Sequence, residues 1–164
     1  MPATSILAFI VPKLGIQAEN AVSACFHFLI STHPEIAESF LRFVSSAGIE
    51  LPRPLEFTTQ VVWEKAGARP DMIGRHKDEA FLVVEAKFGA PLTKRQPVDY
   101  VFCLPKEGAG VLLFLAPARR IAELWPKLQR RCKSANLSLG PEVKGAEGLS
   151  AISVRERHRL AIAS

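Results

Sequence analysis

Phe81-Leu82-Val83-Val84-Glu85-Ala86-Lys87-Phe88 is apolar throughout except for two charged residues near its end. Read as a strand, it points Phe81, Val83, Glu85 and Lys87 to one face and Leu82, Val84, Ala86 and Phe88 to the other. Both faces are apolar until the charges appear, which is the pattern of a central, buried strand. Charged groups are seldom set into such a strand unless something offsets their desolvation. Glu85 and Lys87 fall side by side, about 7 Å apart at a rise of about 3.3 Å per residue. Upstream, Asp71 follows Pro70 at the head of another short apolar segment. Two carboxylates with an ammonium between strands describe a metal site with a cation beside it.

The flanking segments predict the rest of an α/β domain. Val22, Cys25, Phe26, Leu29 and Ile30 recur at helical spacing. After a break at Thr32, His33 and Pro34 the period returns as Ala37, Phe40, Leu41 and Val44. Gly48 to Phe57, with Pro52 and Pro54, reads as a loop into a strand near Thr59 to Trp63. Strands over Asp71–Arg75 and Ala80–Phe88 complete a three-strand meander. Thr93–Leu104 predicts a short helix closed by Pro105, and Gly110–Ala116 (GVLLFLA) a second fully buried strand. A helix followed by such a strand favours a mixed sheet. Ile121, Leu124, Trp125 and Leu128 mark another helix, kinked or restarted at Pro126. Residues 134–150, rich in Gly and Ser, read as a loop. The final VRERHRLAIAS reads as a strand running into the last residue, as in a fragment of a longer protein or the product of a truncated gene. With no internal repeat, residues 1–164 form a single domain.

Pro70-Asp71 followed by Glu85-Ala86-Lys87 resembles the signature of the PD-(D/E)XK nuclease superfamily. Gln96-Pro97-Val98-Asp99-Tyr100 is similar to the Q-x-x-x-Y element of its RecB-like exonuclease branch, and falls on the helix after the motif strand, as in that branch. The resemblance covers about residues 17–116 in the order α-βββ-α-β. It implies a restriction-endonuclease-like core, a central mixed sheet flanked by helices. It also implies hydrolysis of a nucleic-acid phosphodiester, with DNA as the expected partner, by water on Mg²⁺ or Mn²⁺. Asp71, Glu85, Lys87 and Gln96 would be catalytic. Asp71, Glu85, the Ala86 carbonyl and an early-helix acid, Glu19, would hold the metal, and Tyr100, Arg130 and Arg131 would meet substrate. The oligomeric state is left open, a dimer included. The alternative is a nuclease-fold module that has lost catalysis and holds DNA or a protein partner.

Other features bear on this expectation without depending on it. A chain of 164 residues with 48% hydrophobic and 23% charged residues can bury a core without disulfides or structural metal. A mean hydropathy of +0.14 fits a well-filled core. The apolar run Ile6–Val11 is too short to span a bilayer and its nearest base, Lys13, follows it, so neither a signal peptide nor a membrane helix is expected. Cys25, Cys103 and Cys132 are odd in number and show no C-x-x-C spacing, which fits a reducing cytoplasm. The net charge of +5 suits a polyanionic partner. Two carboxylates without His or Cys nearby make a hard oxygen site, which argues for Mg²⁺ or Mn²⁺ over zinc. No ligand spacing links His27, His33, His76 and His158.

Most of these residues also have a plain reading. Asp71 suits a turn after proline. Glu85 with Lys87 suits an ordinary salt bridge. Thr93 to Gln96 is a capping box in its own right. Tyr100 can pack in the core with its hydroxyl at the surface. Glu19 suits any first helical turn, whose dipole favours acids. The basic residues Arg119, Arg120, Lys127, Arg130, Arg131 and Lys133, and Arg155, Arg157 and Arg159 on the last strand, are either a solvated face or a groove that tracks phosphates.

Overall fold

The computed structural model describes residues 18–46, 50–59, 62, 69–105, 110–144 and 149–155. The apolar run Ile6–Val11, the segment from Gln60 to Trp63 apart from Val62, and Arg157, His158 and Arg159 lie outside them.

Two helices come first among the described residues. Helix α1 (Ala18–Thr32) stops just before Pro34, whose ring disfavours a helical conformation at His33. His33 is extended (φ −124°, ψ 95°), and Pro34 takes the first turn of α2 (Pro34–Ser45), where its missing N–H costs nothing. The pair is locked by Phe26 on Phe40, edge to face with ring centroids 5.0 Å apart.

The meander follows as expected, with β1 at Glu56–Thr59, β2 at Met72–His76 and β3 at Glu79–Ala86, each antiparallel to its neighbour. Strand β1 begins earlier than the prolines suggested, pairing Glu56 with Arg75. Lys77 and Asp78, both at positive φ (47° and 67°), make the tight hairpin between β2 and β3. A register shift between Gly74 and Arg75 leaves Phe81 without a cross-strand partner. Phe81 therefore packs with Leu82 and Val84 rather than with Val83, against the strict alternation read from sequence.

Strand β4 (Val111–Pro117) lies parallel to β3, and the chain runs directly from it into α4 (Ala118–Ser134). The helix continues through Pro126 without a restart. Ile121, Leu124, Leu128 and Cys132 are all buried across the proline. At about 1.5–3 kcal/mol for each large apolar side chain, that burial outweighs the roughly 3 kcal/mol of an interior proline. The loop expected over residues 134–150 is instead largely strand. Strand β5 (Ser138–Lys144) pairs antiparallel with β6 (Leu149–Arg155), which in turn pairs with β4. Gly140 and Pro141 fall in a register shift between Leu139 and Glu142, a bulge where a missing N–H is tolerated. Among the described residues the six strands form one mixed open sheet in the order β1-β2-β3-β4-β6-β5.

Helices cover both faces of this sheet. One core joins Val83, Leu112, Phe114 and Ala116 to the α4 residues, and the other joins Leu82, Val84, Val111 and Leu113 to α1 and α2. Strands β3 and β4 are thus covered on both sides, as their two-faced hydrophobicity requires. Among the described residues no helix is long and apolar enough to cross a membrane.

Candidate active site

The carboxyl end of β3 is where the polar groups gather. Met72 pairs with Val84, so Asp71, one residue outside the ladder, comes opposite Glu85 at the end of the same strands. Its Oδ2 accepts a hydrogen bond from the Ala86 amide at 2.8 Å. Lys87 continues the run, its own amide donating to the Leu115 carbonyl of β4 at 2.8 Å. In open α/β sheets the carboxyl ends of parallel strands are the usual place for ligands, and β3 and β4 supply such a pair.

After Lys87 the chain takes an irregular course before helix α3, which spans only Val98–Val101. The longer helix expected over Thr93–Leu104 does not form. Pro97 has no N–H to carry a helical ladder past it, and its carbonyl instead accepts from Tyr100 and Val101 as the N-cap. This brings Gln96 and Tyr100 onto β3. Gln96 Nε2 lies 2.6 Å from Glu85 Oε1 and 3.0 Å from the Tyr100 hydroxyl, while its Oε1 accepts from the Thr93 amide at 3.0 Å. The reach back to the Thr93 amide and the strand contact, alternatives in sequence, are made by two ends of one amide, although Thr93 does not cap a helix because α3 starts only after Pro97. The Tyr100 hydroxyl donates onward to the Arg69 carbonyl at 3.2 Å.

Glu85, Lys87 and Gln96 are the buried polar or charged side chains among the described residues, at 4%, 5% and 2% exposure, and all three meet at one oxygen. Lys87 Nζ lies 2.6 Å from Glu85 Oε1, the atom that Gln96 also contacts. Glu85 Oε2 is buried without a hydrogen-bond partner. An unmade bond at a buried oxygen costs about 1–3 kcal/mol, more when charged, unless a ligand satisfies it. Burial pushes the Glu85 carboxyl above its ordinary range, and the Asp71 charge adds to the rise; Lys87 and the bonds from Lys87 and Gln96 oppose it. Asp71 is likewise raised, mainly by burial, against the Ala86 bond and the Lys87 charge, with Glu19 raising it further. Two acids that disfavour each other's ionisation share one site. Burial, then the Glu85 charge, also raises the Tyr100 phenol, so it remains a neutral hydroxyl.

Glu19 sits at the rim. Its Oε1 accepts the amides of Gly89 and Ala90 at 2.7 and 2.8 Å, which gives it a backbone task beside its influence on Asp71. Arg131 is half-buried and donates to the carbonyls of Thr93 and Gln96, the latter at 2.6 Å. Arg130 is exposed, lining with Lys94, Val98, Arg131, Ser134 and Ala135 an open cleft of about 330 Å³. Arg69 and Arg120 also take part, and the sequence assigns neither of them a task of its own. Arg69 acts through its backbone carbonyl, which no side-chain pattern reveals.

Oxygen donors from Asp71, Glu85 and the adjacent backbone suit a hard divalent ion. Among the described residues no three His, Cys, Asp or Glu side chains form a ready cage. Mg²⁺ seldom needs one, since it binds through one or two carboxylates and keeps waters or phosphate oxygens as its other ligands. His27 and His76 are tied to the Phe57 and Pro54 carbonyls, away from this cluster. No family model, curated protein or solved structure matches the chain.

Proposed function

We propose that this protein is a metal-dependent nuclease that hydrolyses phosphodiester bonds in DNA, on a restriction-endonuclease-like core of the PD-(D/E)XK type. The observation that carries the reading is the meeting of three buried polar side chains at Glu85 Oε1 while Oε2 stays without a partner beside Asp71. A structural salt bridge would satisfy both oxygens of a buried carboxylate, because a half-satisfied one is costly.

In this reading Asp71, Glu85 and the Ala86 carbonyl hold Mg²⁺ or Mn²⁺, with Glu19 adding charge from the rim. The bound cation would lower the pKa of water and neutralise charge on the phosphate, a contribution acid–base groups alone, at about 100- to 10,000-fold, do not match. Lys87 and Gln96 hold Glu85 by Oε1 and so fix the direction of Oε2. Lys87 Nζ, held at Glu85 Oε1, would also steady the attacking water or an anionic phosphate oxygen. Tyr100, kept neutral, fixes the Gln96 amide. A cytoplasmic location belongs to the same proposal and fits three free cysteines, of which Cys103 and Cys132 have thiols pushed up to about 11 by burial.

The deciding experiment incubates the purified protein with linear, circular and single-stranded DNA, with and without Mg²⁺ or Mn²⁺. Metal-dependent cleavage is expected, and the topology of the substrates cut reports the end requirement. Binding of Mn²⁺ or DNA without cleavage would instead favour a catalytically inactive module, and neither binding nor cleavage would make the cluster a buried charge network.

A further inference from the structure

Between Lys87 and Gln96 the chain has no regular secondary structure, so no ladder of its own gives its mostly exposed backbone groups fixed partners. Side chains at the two ends of α4 supply them. Arg120 Nη2 donates to the Gly89 and Ala90 carbonyls at 3.3 and 3.0 Å, opposite the Glu19 carboxylate that accepts the amides of the same two residues. Arg131, about three helical turns further along and on the same face, donates to the Thr93 and Gln96 carbonyls. Arg120 and Arg131 are half-buried, whereas Arg119, Lys127, Arg130 and Lys133 of the same helix are exposed. The helix therefore sorts its cations, with two turned to the connection and the others to solvent. In each arginine a single Nη bridges the two carbonyls.

We propose that Arg120 and Arg131 are positioning residues. With Glu19 they clamp the Phe88–Pro97 connection so that its two ends, Lys87 and Gln96, both reach Glu85 Oε1. The catalytic consequence rests on the nuclease reading above; the clamp itself does not. The competing role for these arginines is direct contact with nucleic-acid phosphates, which the charge of the region also suggests.

The test compares Arg120→Ala, Arg131→Ala and Arg131→Lys with Gln129→Ala, an exposed position on the same helix. Amide hydrogen exchange in metal-free protein reads the clamp directly. Arg131→Ala should speed exchange of the Thr93 amide, which donates to Gln96 Oε1, at least tenfold, and Arg120→Ala should do so at Gly89 and Ala90. Gln129→Ala should leave all three unchanged. On linear DNA with Mg²⁺, each arginine truncation should lower kcat tenfold or more with KM and salt dependence held, and Arg131→Lys should recover part of the loss. A raised KM with a salt slope flattened by about 0.9 for each lost phosphate contact, and unchanged exchange, would overturn the proposal in favour of phosphate binding. If the parent protein cleaves nothing, the nuclease reading fails, and the exchange measurement still decides the clamp. Should Arg131→Ala not fold, Arg131→Met keeps the apolar stem and removes every donor. Faster Thr93 exchange in that variant supports the clamp, and parental exchange refutes it.

Discussion

The two parallel strands at the centre of the sheet end side by side, but the chain leaves them differently. From β4 it passes through Pro117 straight into α4, a connection with little room for chemistry. From β3 it wanders from Lys87 to Pro97 before a single turn of helix, held along the way by Glu19, Arg120 and Arg131. The first exit is supported by apolar packing of Ile121, Leu124 and Leu128, and the second by hydrogen bonds to backbone. Apolar packing is non-directional and fixes a helix as a body, whereas hydrogen bonds fix individual atoms within a few tenths of an ångström. The polar exit is the one that carries Lys87 and Gln96.

Substitutions can break that contrast from either side. The largest effect is expected at the β3 exit, where Asp71→Asn or Glu85→Gln removes a carboxylate that holds the cation. Cleavage should fall by about a thousandfold or more, taking several kcal/mol for the metal's contribution and about 1.4 kcal/mol per tenfold. Metal-free Asp71→Asn should melt at or above the parental temperature, since it loses one of two mutually repelling acids, whereas Glu85→Gln leaves the buried Lys87 ammonium without its carboxylate and should melt lower. A variant that cuts DNA at the parental rate would remove the residue from the site.

At the β4 exit the effect should appear in stability alone. Leu128→Ala, fully buried against the sheet, should cost about 2–5 kcal/mol in denaturant unfolding, with kcat of the folded fraction near parental. A selective loss of kcat there would mean that the two exits are not separable.

Gln96→Glu sharpens the comparison further. A glutamate can still accept from the Thr93 amide but loses both donors and sets a third charge beside Glu85. Cleavage should drop tenfold or more, about 1.4 kcal/mol, together with a stability loss of about 1–3 kcal/mol at neutral pH. Retained stability would reduce Gln96 to its bond with the Thr93 amide.

The smallest effect is a dependence on pH. Asp71 and Glu85 both titrate above their ordinary values in the folded protein, so between the unfolded and folded values the native state holds more protons. Their contribution is fully present below the unfolded pKa and is lost as pH rises through the folded one, so the metal-free protein should lose stability over that interval. Mg²⁺ should reduce the loss, and Glu85→Gln should remove most of it. Parental and variant curves of equal slope would contradict the shared carboxylate site.

The parts of the molecule legible in sequence were those with strong periodicity. The helices around Val22–Ile30 and Ala37–Val44, and the two strands covered on both faces, repeat apolar residues over enough positions to outweigh any single exception. Three local signals misled. The helix runs past Pro126 without a restart because it is anchored on both sides of it, the Gly- and Ser-rich stretch carries strand β5 because Gly140 and Pro141 fall in a bulge, and Phe81 changes sides because the ladder slips by one residue. Each outcome depends on a neighbour distant in sequence. The same holds for the candidate site. Asp71, Glu85 and Lys87 could be picked out by residue type and strand phase, and Gln96 and Tyr100 through the resemblance to the Q-x-x-x-Y element, but the tasks of Arg120 and Arg131 could not, because their partners are carbonyl oxygens that every residue possesses. A spacing of about three turns between two arginines was available as a clue and carries little weight by itself.

Tyr100 is the single tyrosine of the sequence, and it lies inside the cluster it would report on. Its phenol bridges the Gln96 amide and the Arg69 carbonyl, so its near-ultraviolet absorbance and its alkaline titration belong to one location without labelling. The two tryptophans leave the ionisation signal of that phenol unobscured, because indole does not titrate in this range. An unmodified sample therefore carries its own optical probe of whether the polar exit is in place.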